Sequence, residues 1–149
     1  MNWITPITDR SAADITNRTS KGFFNETDIN RIEGNIAWLV YQLARFNFFT
    51  NATTVTNWYM HSLPNISDFY RIRDNILATA ADVRQARPDI RFTLENMSDL
   101  QFEHLNYATV NVLEQNILIL WDVITRMSTI YRQASFISGQ QLFLPQRRV

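Results

Sequence analysis

The side chains best suited to acid–base chemistry are Glu33 and Glu114, with nearby aspartates, and the two histidines His61 and His104. Paired carboxylates serve hydrolases when one acts as acid and the other as base or nucleophile across a substrate. Glu33 and Glu114 instead recur at one register of two related helical stretches, a pattern better explained by helix surface design. The histidines lie in different segments, and neither has a second His or a carboxylate at a metal-ligand spacing, so no zinc site is expected. With no cysteine there is no thiol nucleophile, disulfide or thiolate metal site, and the redox compartment stays open. Three glycines cannot build most phosphate-binding loops, and no serine has a nucleophile signature. No catalytic, cofactor-binding or metal-binding residue is therefore assigned, and an enzyme is not expected. Asn-x-Ser/Thr occurs at Asn17, Asn25, Asn51, Asn65 and Asn96. MNWITP has no basic region followed by an apolar run, so no signal peptide is expected, and these residues read as caps and turn formers.

The carboxylates sit in a stretch around which the chain is organised, Phe24 to Phe46. Thr27 is placed to cap a helix there, with Asp28 at the positive end of its dipole. Ile29, Ile32, Ile36, Leu39, Leu43 and Phe46 follow at helical spacing on one face. A shift of 40 residues lays Asp68, Arg71, Ile72, Asn75 and Ile76 on Asp28, Arg31, Ile32, Asn35 and Ile36. A shift of 81 lays Asn106, Glu114, Asn116 and Ile117 on Asn25, Glu33, Asn35 and Ile36, and maps the apolar face onto Val110, Leu113, Ile117, Leu120, Ile124 and Met127. The second copy carries a weaker face, Phe69, Ile72, Ile76, Thr79 and Val83. Three helices with one pattern predict a three-helix core. Asn35, Asn75 and Asn116 flank its seam, either exposed at the edge or, if buried, bonded to loop backbone. The pairs Asp28/Arg31 and Asp68/Arg71 are either exposed i,i+3 pairs or let each arginine reach the next helix's first turn.

TDR at 8–10, KGFFN at 21–25 and DINRIEGNI at 28–36 resemble a family of small proteins encoded among tail genes of phages and prophages of Gram-positive bacteria. Trp58, Pro64, Asp68, Arg71, Ile72, Asn75 and Ser138-Gly139 continue that family's pattern in order, so the resemblance covers nearly the whole chain. It implies a virion structural protein of the tail, assembled in the host bacterial cytoplasm, whose partners are other tail or baseplate proteins and copies of itself. A receptor- or carbohydrate-binding module of the tail tip and a head or neck adaptor are the alternatives. For the first of these, Trp58, Tyr59 and His61 are the only candidate platform, and nothing else in the sequence supports a host surface glycan.

At 149 residues one domain is expected, and 46% hydrophobic content suits a globular fold. The low Gly and Pro content favours helices over a turn-rich β fold. Basic and acidic residues balance at 14 each and the one adjacent basic pair is Arg147-Arg148, so nucleic-acid binding is not expected. No apolar run approaches the ~20 residues that span a bilayer, and no membrane insertion is expected. The fold class is mainly α: a bundle of three long helices with a short N-terminal helix, an extended arm and a short C-terminal strand or hairpin. Residues 1–7 form the arm, 8–135 the bundle and 136–149 the tail. The short helix is set at 9–21, capped by Thr8 or Asp9 and ended by a left-handed Gly22. The long helices run from 28, 67 and 98 or 99 to near 46, 85 and 133. A short strand is placed around 53–57 and an extended stretch over 90–97. Trp58, Tyr59 and Met60 are read as a lid on the bundle end, with a receptor-facing cluster the lesser reading. Interface candidates are Trp3, the second stripe of the last helix (Val112, Ile119, Val123, Ile130), and Phe136, Leu142, Phe143 and Leu144 in the tail. Trp3 either folds back on the bundle or anchors in a neighbour.

Overall fold

The structure, a computed structural model, describes residues 2–62 and 64–129. Its helices are α1 (Ala12–Thr16), α2 (Glu26–Ala44), α3 (Ile66–Ala86) and α4 (Tyr107–Gln146), the last followed to Thr129. One-turn 3-10 helices lie at Ser20–Gly22 and Phe102–His104. The described residues are mainly helical and contain no strand. The strand or hairpin expected at 136–149, with Ile130, Phe136, Leu142, Phe143 and Leu144, lies outside the described residues.

The repeat reads directly onto the helix starts. Asn25 accepts bonds from the Thr27 and Asp28 amides at 2.9 and 3.3 Å, and Asp28 returns one from the Asn25 N–H at 3.1 Å. At α3, Asp68 likewise accepts the Asn65 N–H at 2.7 Å. At α4, Asn106 accepts the Thr109 N–H at 3.0 Å. At α2 and α4 asparagine suits this position because its carbonyl satisfies an amide that the first turn leaves unpaired. Thr27 is therefore not the cap expected for α2, nor Asp99 the start of α4. Likewise Ser11, not Thr8 or Asp9, caps a shorter α1. Gly22 does not end a helix in the left-handed region, since no described glycine has positive φ. Its lack of a side chain matters because a Cβ there would overlap the Asp14 carbonyl.

Every residue of the three predicted apolar faces is buried except Phe46, which is half-buried. The three long helices pack on one another in all pairs, and they are parallel. Asn25, Glu26, Pro64 and Leu105 share one cleft at their starts. Phe46, Phe48, Ala86 and Met127 share another where α2 and α3 end. A parallel bundle forces long returns: α2, with 19 residues, is about 28 Å long, and the chain must travel back that far before α3 begins. Residues 45–65 and 87–106 make those returns. The N-terminal arm makes an equivalent run beside α2 and α4. The strand expected at 53–57 and the extended stretch at 90–97 are parts of these segments. Neither lies beside another strand, because each runs between two helices.

Leu39 and Ile117 have no exposed surface. Leu39→Ala and Ile117→Ala should each lower unfolding free energy by about 2–5 kcal/mol in denaturant titrations, and a loss near zero would refute the packing of these faces.

Candidate functional site

The candidate site is a set of grooves between helices, each filled by a returning segment whose backbone is read by buried or half-buried polar side chains. In the α2–α4 groove, Asn35 accepts the Ile4 N–H at 3.0 Å and donates to the Ile4 carbonyl at 2.6 Å. Asn111 does the same for Arg10, at 3.2 and 2.8 Å. In the α2–α3 groove, Asn75 holds Thr53 at 3.3 and 2.8 Å, and Asn30 holds Trp58 at 2.9 and 2.8 Å. In the α3–α4 groove, Asn116 holds Glu95 at 2.7 and 3.0 Å. Each side-chain amide presents the donor and acceptor that a neighbouring strand would present. Asn35, Asn75 and Asn116 are buried, so the reading in which they bond to loop backbone holds.

Between the amides lie the carboxylates. Glu33 and Glu114 have no exposed surface, which overturns their assignment to the helix surface. Glu114 accepts the Ile7 N–H at 2.8 Å and two bonds from the Arg31 guanidinium, at 2.9 and 2.7 Å. Arg10 closes this cluster, 2.9 Å from both Asp28 and Glu114. Glu33 accepts the Val55 N–H at 3.1 Å and the Arg71 guanidinium at 2.9 and 2.6 Å. Arg71 also donates to the Thr53 carbonyl at 2.8 Å. Arg31 and Arg71 thus bridge helices, but neither reaches the next helix's first turn as the second sequence reading has it: Arg31 of α2 pairs with Glu114 of α4, and Arg71 of α3 pairs back with Glu33 of α2, each glutamate one turn beyond the first. Burial disfavours the Arg31 cation, yet its bonds to Glu114 and Asp28 outweigh that and raise its pKa above the ordinary arginine value. For Arg71 the bond to Glu33 is the larger effect and also raises the pKa, with burial opposing it. A guanidinium so placed is a permanent structural cation.

The third groove departs from the pattern. Tyr70 and Arg73 of α3 stand where α2 and α4 carry Asn30 and Asn111, and Glu33 and Glu114; Val112 of α4 stands where the other helices carry Arg31 and Arg71. Apolar packing takes over: Phe102 stacks on Phe69 at 5.7 Å and meets Tyr70 edge-on at 4.9 Å, with Met97 also buried. Arg73 turns outward to Asp74 at 2.8 Å and over the Tyr70 ring.

Among the interface candidates, Trp3 folds back: its ring lies 5.4 Å from both Trp38 and Trp121. Val123 is buried in the core, and Val112 and Ile119 are half-buried. The arm lies on the bundle, and Asn35, Glu114 and Asn111 bind it along its length. Trp58 is half-buried over the bundle, whereas Tyr59 and Met60 are 63% and 72% exposed beside a cleft of about 440 Å³. His61 and His104 are exposed, and no group of three or more His, Asp or Glu side chains gathers as a metal site among the described residues. Sequence reasoning missed Asn30 and Asn111, although the shift of 81 that aligns Glu33 with Glu114 aligns them too. No protein-family model, curated protein or solved structure matches the chain.

Removing one partner from such a cluster strands a buried charge. Glu114→Ala and Arg71→Met should each cost about 3–5 kcal/mol of stability, and Asn35→Ala about 1–3 kcal/mol for the orphaned arm backbone. Thermal and denaturant unfolding check both; changes below about 0.5 kcal/mol, the range of ordinary surface substitutions, would contradict the clusters.

Proposed function

We propose that the chain is a virion structural protein of a phage tail, a tail or baseplate subunit that works through protein–protein contacts and not by catalysis. One observation supports this beyond the resemblance itself: the residues that carry the resemblance are spent on the scaffold. Arg10, Asp28, Arg31, Glu33, Asn35, Asp68, Arg71 and Asn75 form the clusters that bind the helices and returning segments together. Gly22 and Asn25 shape the approach to α2. A shared pattern of this kind specifies a shape and leaves the outer surface free to fit partners. Pinning the returning segments also yields a rigid body, which lowers the ordering cost of each contact it makes.

A second reading, a receptor-binding module, draws on Tyr59 and Met60 beside their cleft. The other lining residues include Phe24, Ile29, Phe69 and Leu105, so the cleft is mainly apolar. A sugar site needs convergent polar groups beside an aromatic platform, which makes this the weaker reading.

The test is the protein's place in the particle. Quantitative mass spectrometry and immunogold labelling of purified particles should find a fixed copy number confined to the tail. Its absence from particles would overturn the proposal, and a location in the head or neck would move it to the adaptor alternative.

A further inference from the structure

We propose that the α2–α4 groove continues past the arm as an open cleft that takes an extended, acidic segment of another protein, laid in line with the arm. This rests on the assembly reading and names the chemistry of one partner.

The first argument is coverage. Residues 45–65 and 87–106 run along their grooves from one end of the bundle to the other. The arm covers the α2–α4 groove from Arg10, beside Asn111, to Trp3, beside Trp38 and Trp121. Beyond those two rings the groove goes on as a cleft of about 360 Å³. Trp38, Gln42 and Arg45 form one wall, and Trp121, Thr125 and Ser128 lie on the other. All of these belong to α2 or α4 except Arg45, which caps the end of α2. No returning segment lines the cleft.

The second argument is register. A helix face recurs every seven residues, close to two turns. Gln42 stands seven residues after Asn35, which grips Ile4, and Arg45 fourteen after Arg31. On α4, Thr125 stands fourteen residues after Asn111 and Ser128 fourteen after Glu114. The cleft therefore repeats the polar rows that hold the arm, with a side-chain amide and two hydroxyls that can each donate and accept, as a backbone requires. From Trp38 to Arg45 the helix rises about 10 Å. That is room for about three residues of extended chain at ~3.3 Å each.

The third argument is charge. Arg45 is the one charged residue lining the cleft. Its guanidinium donates to Gln42 Oε1 at 3.1 Å and meets no carboxylate among the described residues. On the nearby face of α4, Arg126 is already paired with Asp122 at 3.0 Å. An incoming carboxylate thus finds a cation beside an amide. An apolar side chain two residues away on the same peptide packs on the edges of Trp38 and Trp121, because alternate residues of an extended chain share a face. The position of Arg45 at the end of α2 also suits the helix dipole, so the test reads binding and not stability.

The test uses the full chain in solution, so its failure leaves the particle-location result untouched. Random short peptides displayed on yeast are selected against the protein, and the enriched ones are synthesised and titrated. Enriched sequences should carry Asp or Glu two residues from an apolar residue. On titration the Gln42 side-chain amide and the Trp121 indole should shift in ¹H–¹⁵N spectra. Arg45→Glu should weaken binding at least about tenfold, and Arg45→Gln and Gln42→Leu about threefold each, with circular dichroism of all three variants near wild type. Selection against R45E should enrich Lys or Arg in place of the acid. No enrichment, peptides that R45E binds as tightly, or shifts confined to the Tyr59–Met60 cleft would overturn the proposal. So would a chain that dimerises by itself and loses the dimer on Arg45→Glu, which would assign the cleft to a second copy.

Discussion

A backbone segment laid in a dry groove between helices has amide and carbonyl groups that no helix can satisfy through its own backbone. Leaving them unpaired costs as much as losing the hydrogen bonds outright. This chain meets the constraint with side-chain amides. Five asparagines each grip one residue of a returning segment by both its N–H and its carbonyl. The parallel bundle depends on this, because parallel helices need long returns, and returns without partners would exclude themselves from the grooves.

The buried glutamates extend the same logic. Glu33 and Glu114 each accept one backbone N–H from a returning segment, at 3.1 and 2.8 Å, while an arginine from another helix neutralises each of them. One side chain thereby fixes a helix, its neighbour and the segment between them. Buried ion pairs are weak as sources of net stability compared with apolar substitutes. Here they specify which segment lies in which groove and at what register. The third groove manages with ring stacking at Phe69, Tyr70 and Phe102, so the polar device is not needed wherever aromatic packing can exclude water.

The helices and their core were legible because the apolar face of Ile29, Ile32, Ile36, Leu39 and Leu43 has an unbroken helical period, and the two shifts carry it to the other copies. The asparagine caps were half legible: Asn106 aligns with Asn25, but Thr27 and Asp99 offered competing capping chemistry. Glu33 and Glu114 were misplaced because charge alone suggests solvent. Their position, four residues after Ile29 and three before Ile36 in the case of Glu33, is that of the buried face. Parallel packing was not legible, since nothing local in 45–65 or 87–106 distinguishes a return from a surface loop.

The central claim is that side-chain amides and carboxylates hold non-helical backbone as firmly as a sheet would. Native-state hydrogen exchange, followed by NMR residue by residue, tests it most directly. The amides of Ile4, Ile7, Thr53, Val55, Trp58 and Glu95 should exchange as slowly as those of the long helices, although none lies in a helix or strand. Exchange of these amides at the rate of an open loop, with the helices still protected, would contradict it.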